Sequence, residues 1–132
     1  MPQKPDLLNN PETKQWQKAL LPLNATLEQA IKRLDETGLQ IILVVSSDCK
    51  LLGTLTDGDI RRSLMNNFDT NSSIETIIHR EPLVAPPSLS RKMVLQLMQA
   101  NQIHQVPIVD ENRYVQGLHL WGEVIAPQQR SN

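Results

Sequence analysis

Gly53-Thr54-Leu55-Thr56-Asp57-Gly58-Asp59-Ile60-Arg61-Arg62 begins inside a buried strand, Leu51 to Leu55, and turns at once into a helix that starts near Thr56. Thr56 and Asp59 stand three residues apart at that helix start, and Arg61 and Arg62 follow one turn later. A hydroxyl and a carboxylate at this spacing form a capping box, each side chain satisfying the other residue's backbone N–H. The same helix start presents unpaired N–H groups and a partial positive charge, which suits an anion such as a phosphate. Cap and anion site share one geometry, and both readings stand.

Upstream, Ile41-Ile42-Leu43-Val44-Val45 is too short for a helix and rich in β-branched residues, so it reads as a buried strand. Ser46 to Lys50 is a loop of hairpin length between that strand and Leu51. Before it, Leu27, Ala30, Ile31 and Leu34 share one face of an amphipathic helix that Gly38 ends, with Thr26 and Gln29 spaced as a second capping box. Leu21-Pro22-Leu23 is short and extended. Pro11 opens a short helix through Leu20 with Trp16 as a packing anchor, and residues 1–10, rich in Pro and Asn, form a frayed leader. One unit is therefore strand, helix, strand, strand, helix.

Downstream, the polar run Asn66 to Ser72 is a linker, and Ser73 to Ile78 forms a short helix burying Ile74, Ile77 and Ile78. Pro82, Pro86 and Pro87 bracket an extended Leu83-Val84-Ala85. Leu89 to Ala100 is helical, with Met93 and Met98 as gap-filling core residues. Val106-Pro107-Ile108-Val109 is a strand in which Pro107 demands an edge or end position, Asp110 to Asn112 is a turn, and Val115 to Leu120 is the next strand. Gly117 follows Gly53, and Glu123 follows Asp59, by 64 positions each, which marks an internal repeat. The expected division is a leader and short helix at 1–20, a first repeat at 21–65, a linker at 66–81, a second repeat at 82–126 and a tail or interdomain linker at 127–132.

The chain has 132 residues and a net charge of −1, enough for a real core and no broad case for nucleic acid or a membrane surface as partner. Its single cysteine, Cys49, excludes an internal disulfide, and the longest apolar run, Ile41 to Val45, is far short of a membrane span. With no signal-like N-terminus, the expected location is cytoplasmic. His79, His104 and His119 lack metal-ligand spacing, so no metal is expected, and His104 and His119 read by default as half-buried residues. No nucleophile–base set suggests a catalyst.

These residues resemble a tandem pair of CBS domains, the modules named after cystathionine beta-synthase, over roughly residues 20 to 125. The specific matches are Gly53 to Asp59, in the pattern glycine, apolar, apolar, Ser/Thr, two residues, Asp, and Val106 to Asp110. The resemblance implies an α+β fold of two β-α-β-β-α units with pseudo-twofold symmetry. It implies a regulatory adenine nucleotide (AMP, ADP or ATP) held between the repeats. Thr56 would contact phosphate, Asp59 the ribose hydroxyls, and Ile41, Ile42 and Leu43 the base. Gly53, Thr54, Leu55, Asn24, Arg62, His104, Val106 and Pro107 complete the implied site. The second repeat departs from the pattern, with Leu120 for the hydroxyl residue and Glu123 for the aspartate, so at most one strong nucleotide per chain is expected. Trp121 beside them can stack on a base, although core packing or a dimer contact is its ordinary use.

Thr56 to Arg62 and Leu118 to Glu123 further resemble the N-terminal regulatory pair of sugar-phosphate nucleotidyltransferases, which precedes a catalytic domain. The first of these runs also occurs in arabinose-5-phosphate isomerases, where the pair follows the enzyme; its place near Met1 favours the former. The resemblance also implies a homodimer through the helices that carry Leu64, Met65, Val124 and Ile125. A module that has lost its ligand and only dimerises is the alternative.

Overall fold

The computed structural model of the chain describes residues 15–126. A 3-10 turn, Gln15–Ala19, leads into β1 (Leu20–Pro22), and α1 (Leu27–Thr37), β2 (Ile41–Val45), β3 (Leu51–Thr56) and α2 (Asp57–Met65) complete a first unit. After a 3-10 turn at Ile74–Thr76, α3 (Arg91–Asn101), β4 (Gln105–Val109), β5 (Val115–Leu120) and α4 (Trp121–Ile125) build the second. The leader at 1–10, the start of the helix expected from Pro11, and the tail at 127–132 lie outside the described residues. Within them, the segment from Gln15 is a 3-10 turn rather than an α-helix, because β1 begins at Leu20 to pair with β2.

The architecture is α+β. β1 runs parallel to β2, β2 antiparallel to β3, and β4 antiparallel to β5 in a second sheet. The repeat holds residue by residue at the 64-position offset. Ile41 faces Thr56 as Gln105 faces Leu120, Val44 faces Gly53 as Ile108 faces Gly117, and both ladders slip one step later. Thr26 and Ser90 cap α1 and α3, and Cys49 and Arg113 take the left-handed turn positions with φ of 71° and 70°. The Thr26 box is complete, with its Oγ1 accepting from the Gln29 N–H at 3.2 Å and Gln29 Oε1 accepting from the Thr26 N–H at 2.9 Å.

Only one residue of the second unit's first strand is paired: Ala85 bridges Ile108 in parallel, its N–H donating to the Pro107 carbonyl at 2.9 Å. A strand residue directs its N–H and C=O to the same edge, so Pro107 offers no donor toward this side and the ladder stops there. Its expected edge position is thereby explained.

β2 is the strand shared by two cores. Ile42 and Val44 face the first unit's own core with Ala30, Leu34 and Ile60. Ile41, Leu43 and Val45 face a middle core with Val109, Val115 and Leu118 of the second unit. Period-2 alternation with apolar residues on both faces accounts for the unbroken aliphatic run. Trp16 packs on the middle core, and Val94, Met98, Val106 and Val124 form the second unit's own. The hairpin turns lock together, the Leu51 N–H donating to the Arg113 carbonyl at 2.8 Å and the Val115 N–H to the Cys49 carbonyl at 3.0 Å.

The connection between units is pinned where Gly53 leaves room. Thr54 and His79 exchange backbone bonds of 2.9 and 2.8 Å, and a Cβ on Gly53 would stand 2.6 Å from the His79 carbonyl oxygen. At Gly117 the nearest atom to such a Cβ is Ile108 Cδ1, 3.1 Å away on a flexible side chain. Gly53→Ala is therefore expected to lose about 2 kcal/mol in urea unfolding, as overpacking against fixed backbone does, and Gly117→Ala clearly less. Equal losses at the two positions would contradict this account of the repeat.

Candidate functional site

The two units face each other across a cleft of about 470 Å³. Ile41, Thr54 and Thr56 form its floor on β2 and β3, His79, Pro82 and Leu83 of the connection form one wall, and Asn101 to Ile103, Gln105 and Pro107 of the second unit form the other. The size and the mixture of apolar walls with a few convergent polar groups suit a small organic ligand.

At its end the Thr56 cap is built as the spacing predicts. Thr56 N–H and Oγ1–H both donate to Asp59 Oδ2, at 2.9 and 3.0 Å, and the Asp59 N–H returns to Thr56 Oγ1 at 3.4 Å. Arg62 closes the chain with a bond of 2.5 Å to Asp59 Oδ1. Both carboxylate oxygens are thus engaged and held in place; Oδ2 accepts two donors, and Oδ1, with one, keeps a lone pair for a further donor. Thr56, half-buried at the start of a nine-residue helix, lines the cleft and so brings the N-cap of α2 to it.

The residues expected at the site divide. Thr56, Thr54, Ile41 and Pro107 line the cleft. Asp59 and Arg62 stand behind Thr56 as its supports. Gly53 lies beneath the docked His79 backbone. Strand alternation turns Ile42 and Leu55 into the first core and Val106 into the third, away from the cleft, while Leu43, on the face of Ile41, is fully buried further along β2 in the middle core. Asn24 is exposed in the turn before α1, outside the cleft lining. His79, Pro82, Leu83 and the Asn101–Ile103 corner were not anticipated. The repeat was the available signal for the corner, since a twofold arrangement sets the end of each unit's first helix against the other unit's helix start.

A second cleft, of about 360 Å³, confirms that exchange: Leu120, Gln105, Gly38 and Leu39 occupy the places of Thr56, Ile41, Gln102 and Ile103. His104 belongs to this cleft, its ring centroid 5.3 Å from that of Trp121. Leu120 makes no side-chain cap bond, and α4 is five residues long. Among the described residues no acidic, His or Cys group is arranged to hold a metal, and no helix is long and apolar enough to cross a membrane.

His119 sits half-buried on β5 opposite Val106. Burial pushes its imidazole below the ordinary value, against the pull of the Glu123 charge.

The family model described as "CBS domain" matches residues 19–66 and 74–118. The CBS domain-containing protein YhcV of Bacillus subtilis is 31% identical over 122 residues, covering 92% of this chain and 85% of that protein. The solved CBS domain pair of protein MJ0100, in complex with 5-methylthioadenosine and S-adenosyl-L-methionine, superposes with a TM-score of 0.71 at 27% identity, covering 80% of this chain and 82% of that one. CBSX2 in complex with AMP shares the fold, with a TM-score of 0.72, 18% identity and coverage of 80% and 83%. Several other curated relatives are longer, and the chain spans about a third or less of each.

A histidine with a lowered folded-state value stays neutral while the unfolded chain takes up its proton. Its contribution to stability is complete above the ordinary 6.5 and declines as pH falls below it. His119→Gln is expected to flatten this part of the pH profile of unfolding. An unchanged slope between pH 7 and pH 5 would show that the imidazole titrates alike in the folded and the unfolded chain.

Proposed function

Because the chain belongs to the CBS-domain family, we propose that it is a regulatory module that binds an adenine nucleotide in the cleft ending at Thr56. One observation carries the reading: Thr54 and Thr56, the latter the N-cap of α2, line a cleft that also presents the apolar surfaces of Ile41, Leu83, Ile103 and Pro107. The start of α2, with the Thr56 hydroxyl turned from Asp59 to the ligand, suits a phosphate, the apolar walls suit a flat base, and the spare lone pair of Asp59 Oδ1 suits a ribose hydroxyl. The adenosyl ligands of the MJ0100 pair and the AMP of CBSX2 support this ligand class. AMP is the first choice because a single phosphate fits one helix start, and ADP and ATP are the variants to compare. The proposal extends to attachment before a catalytic domain, for which Leu118 to Glu123 speaks, as the run that resembles the junction in nucleotidyltransferase pairs.

The module's partner in this reading is a second copy. Leu64 and Met65 on α2 are 44% and 75% exposed and Ile125 on α4 is 49% exposed, an amount of uncovered aliphatic surface that dimerisation through these helices would hide. Light scattering at micromolar concentration is expected to give twice the chain's 14.9 kDa, and Leu64→Glu with Met65→Glu to return it to a single copy. A monomer at all concentrations would remove the dimer from the proposal.

Binding is tested against capping by two matched variants. Thr56→Val and Thr26→Val each remove a capping-box hydroxyl at a cost of about 1 kcal/mol, but Thr26 lies outside the cleft. AMP at a hundred times its dissociation constant adds about 2.7 kcal/mol to native stability. The parent and Thr26→Val are expected to show that gain in thermal melts, and Thr56→Val to lose most of it. A full gain in Thr56→Val would leave Thr56 as a cap and move the phosphate elsewhere; no gain in the parent would favour the ligand-free dimerisation module.

A further inference from the structure

Among the described residues that line the first cleft, His79 is the one whose side chain can carry a positive charge, for no Lys or Arg lines it. Its orientation follows from its neighbours. His79 and Thr54 form an antiparallel bridge, exchanging backbone bonds of 2.9 and 2.8 Å. Bridge partners direct their side chains to the same face, and Thr54 lines the cleft. Ile78, one residue earlier, packs the opposite way into the first core, as alternation requires. Thr56, two residues along β3, is then the diagonal neighbour of His79 at roughly 7–8 Å, a span that an imidazole and a bound phosphate bridge together.

The phosphate end of this cleft is short of positive charge. The Asp59 carboxylate stands behind Thr56, and the guanidinium of Arg62 is engaged on it at 2.5 Å. Asp57 lines a separate cavity beside α1, together with Asp35. On the connection itself Arg80 donates to the Glu75 carbonyl at 3.1 Å, and Glu81 follows it. The facing corner of the second unit is neutral, with Asn101, Gln102 and Gln105. A phosphate dianion at Thr56 thus meets the partial charge of the α2 start, offset by Asp59, and no full cation. Imidazole is the side chain that changes charge near neutral pH, and a dianion a few ångström away favours its charged form.

We propose that His79 is a specificity-determining residue of the first cleft: it takes up a proton as a phosphate binds beside it, so that the module responds to nucleotide and pH together. This deepens the proposed function and rests on its placement of a phosphate at Thr56. A ligand that stabilises the protonated form of a group binds more tightly as pH falls, and loses that gain as pH rises through the value the group has in the complex. Phosphorylated nucleotide therefore binds best near neutrality and more weakly in alkali, whereas an uncharged nucleoside binds alike in both.

AMP binding is measured by calorimetry at about pH 7 and about pH 8.5, a window in which the phosphate stays doubly charged because its second ionisation lies at about 6. The parent is expected to bind several-fold more tightly at the lower pH. In buffers of different ionisation heat it is expected to take up part of a proton on binding. His79 is exposed and docked through its backbone, so His79→Gln keeps the bonds to Thr54 and is expected to lose both the pH slope and the uptake. His79→Lys fixes the charge, and is expected to bind AMP in alkali as tightly as the parent does near neutrality, with no slope. A parent affinity that is flat across the window, a slope that survives in His79→Gln, or an equal proton uptake with adenosine overturns the inference and leaves the nucleotide site standing. No binding of AMP by the parent at either pH overturns the nucleotide site, and the role of His79 with it.

Discussion

The fold depends on one strand having two insides. β2 gives Ile42 and Val44 to the first unit's core and Ile41, Leu43 and Val45 to the core between units. Each fully buried aliphatic side chain contributes roughly 1.5–3 kcal/mol relative to exposure, so the five together outweigh any polar interaction in the molecule. A one-residue slip in the pairing of β2 with β3 would exchange the two faces and mismatch both cores at once. The bulge after Val44, repeated after Ile108, therefore has a fixed place, and with it Thr56 has a fixed position opposite Ile41. The cleft inherits its geometry from this register, because its floor is Ile41, Thr54 and Thr56.

In the proposed nucleotide site, stability and recognition would draw on the same atoms. Thr56 Oγ1 donates to Asp59 while accepting from the Asp59 N–H, so the hydroxyl is held in one rotamer before any ligand arrives. Holding a recognition group in advance lowers the ordering cost of binding. It also means that a carboxylate placed at position 56 would face Asp59 Oδ2, where a hydroxyl now donates, so an acidic N-cap that is favourable elsewhere is unfavourable here. Arg62, with a side chain 69% exposed, contributes little as a surface ion pair; its use is to fix the Asp59 carboxylate in plane with the cap.

The sequence carried the architecture to the extent that it carried the repeat. Gly53 with Gly117 and Asp59 with Glu123 set the offset, and the register, both bulges and the left-handed turn residues follow it. The capping boxes were legible because they are local, each depending on two side chains three residues apart. The residues lining the cleft were legible only in part. Ile41, Ile42 and Leu43 look alike in a buried strand, and which of them faces the cleft depends on a register that only the partner strands determine. His79 was hidden for a different reason. What places it is its backbone, bonded to Thr54 over the bare face of Gly53, and backbone docking has no side-chain pattern to read.

The single position 120 explains why the two halves are unequal. In the first unit a hydroxyl at the equivalent place starts a nine-residue helix with a complete box; in the second, Leu120 starts five residues with none. One difference of residue type removes a cap worth about 1 kcal/mol together with the hydroxyl to which the proposed function gives a phosphate. The helix that results has fewer backbone groups to align, and a dipole reduced accordingly at its start. Trp121 follows at once and anchors α4 by packing on the third core where the cap no longer does. The half-buried Trp121 thus serves the third core on one side and lines the second cleft beside Glu123 on the other, so the residue that replaces the cap also shapes the cleft.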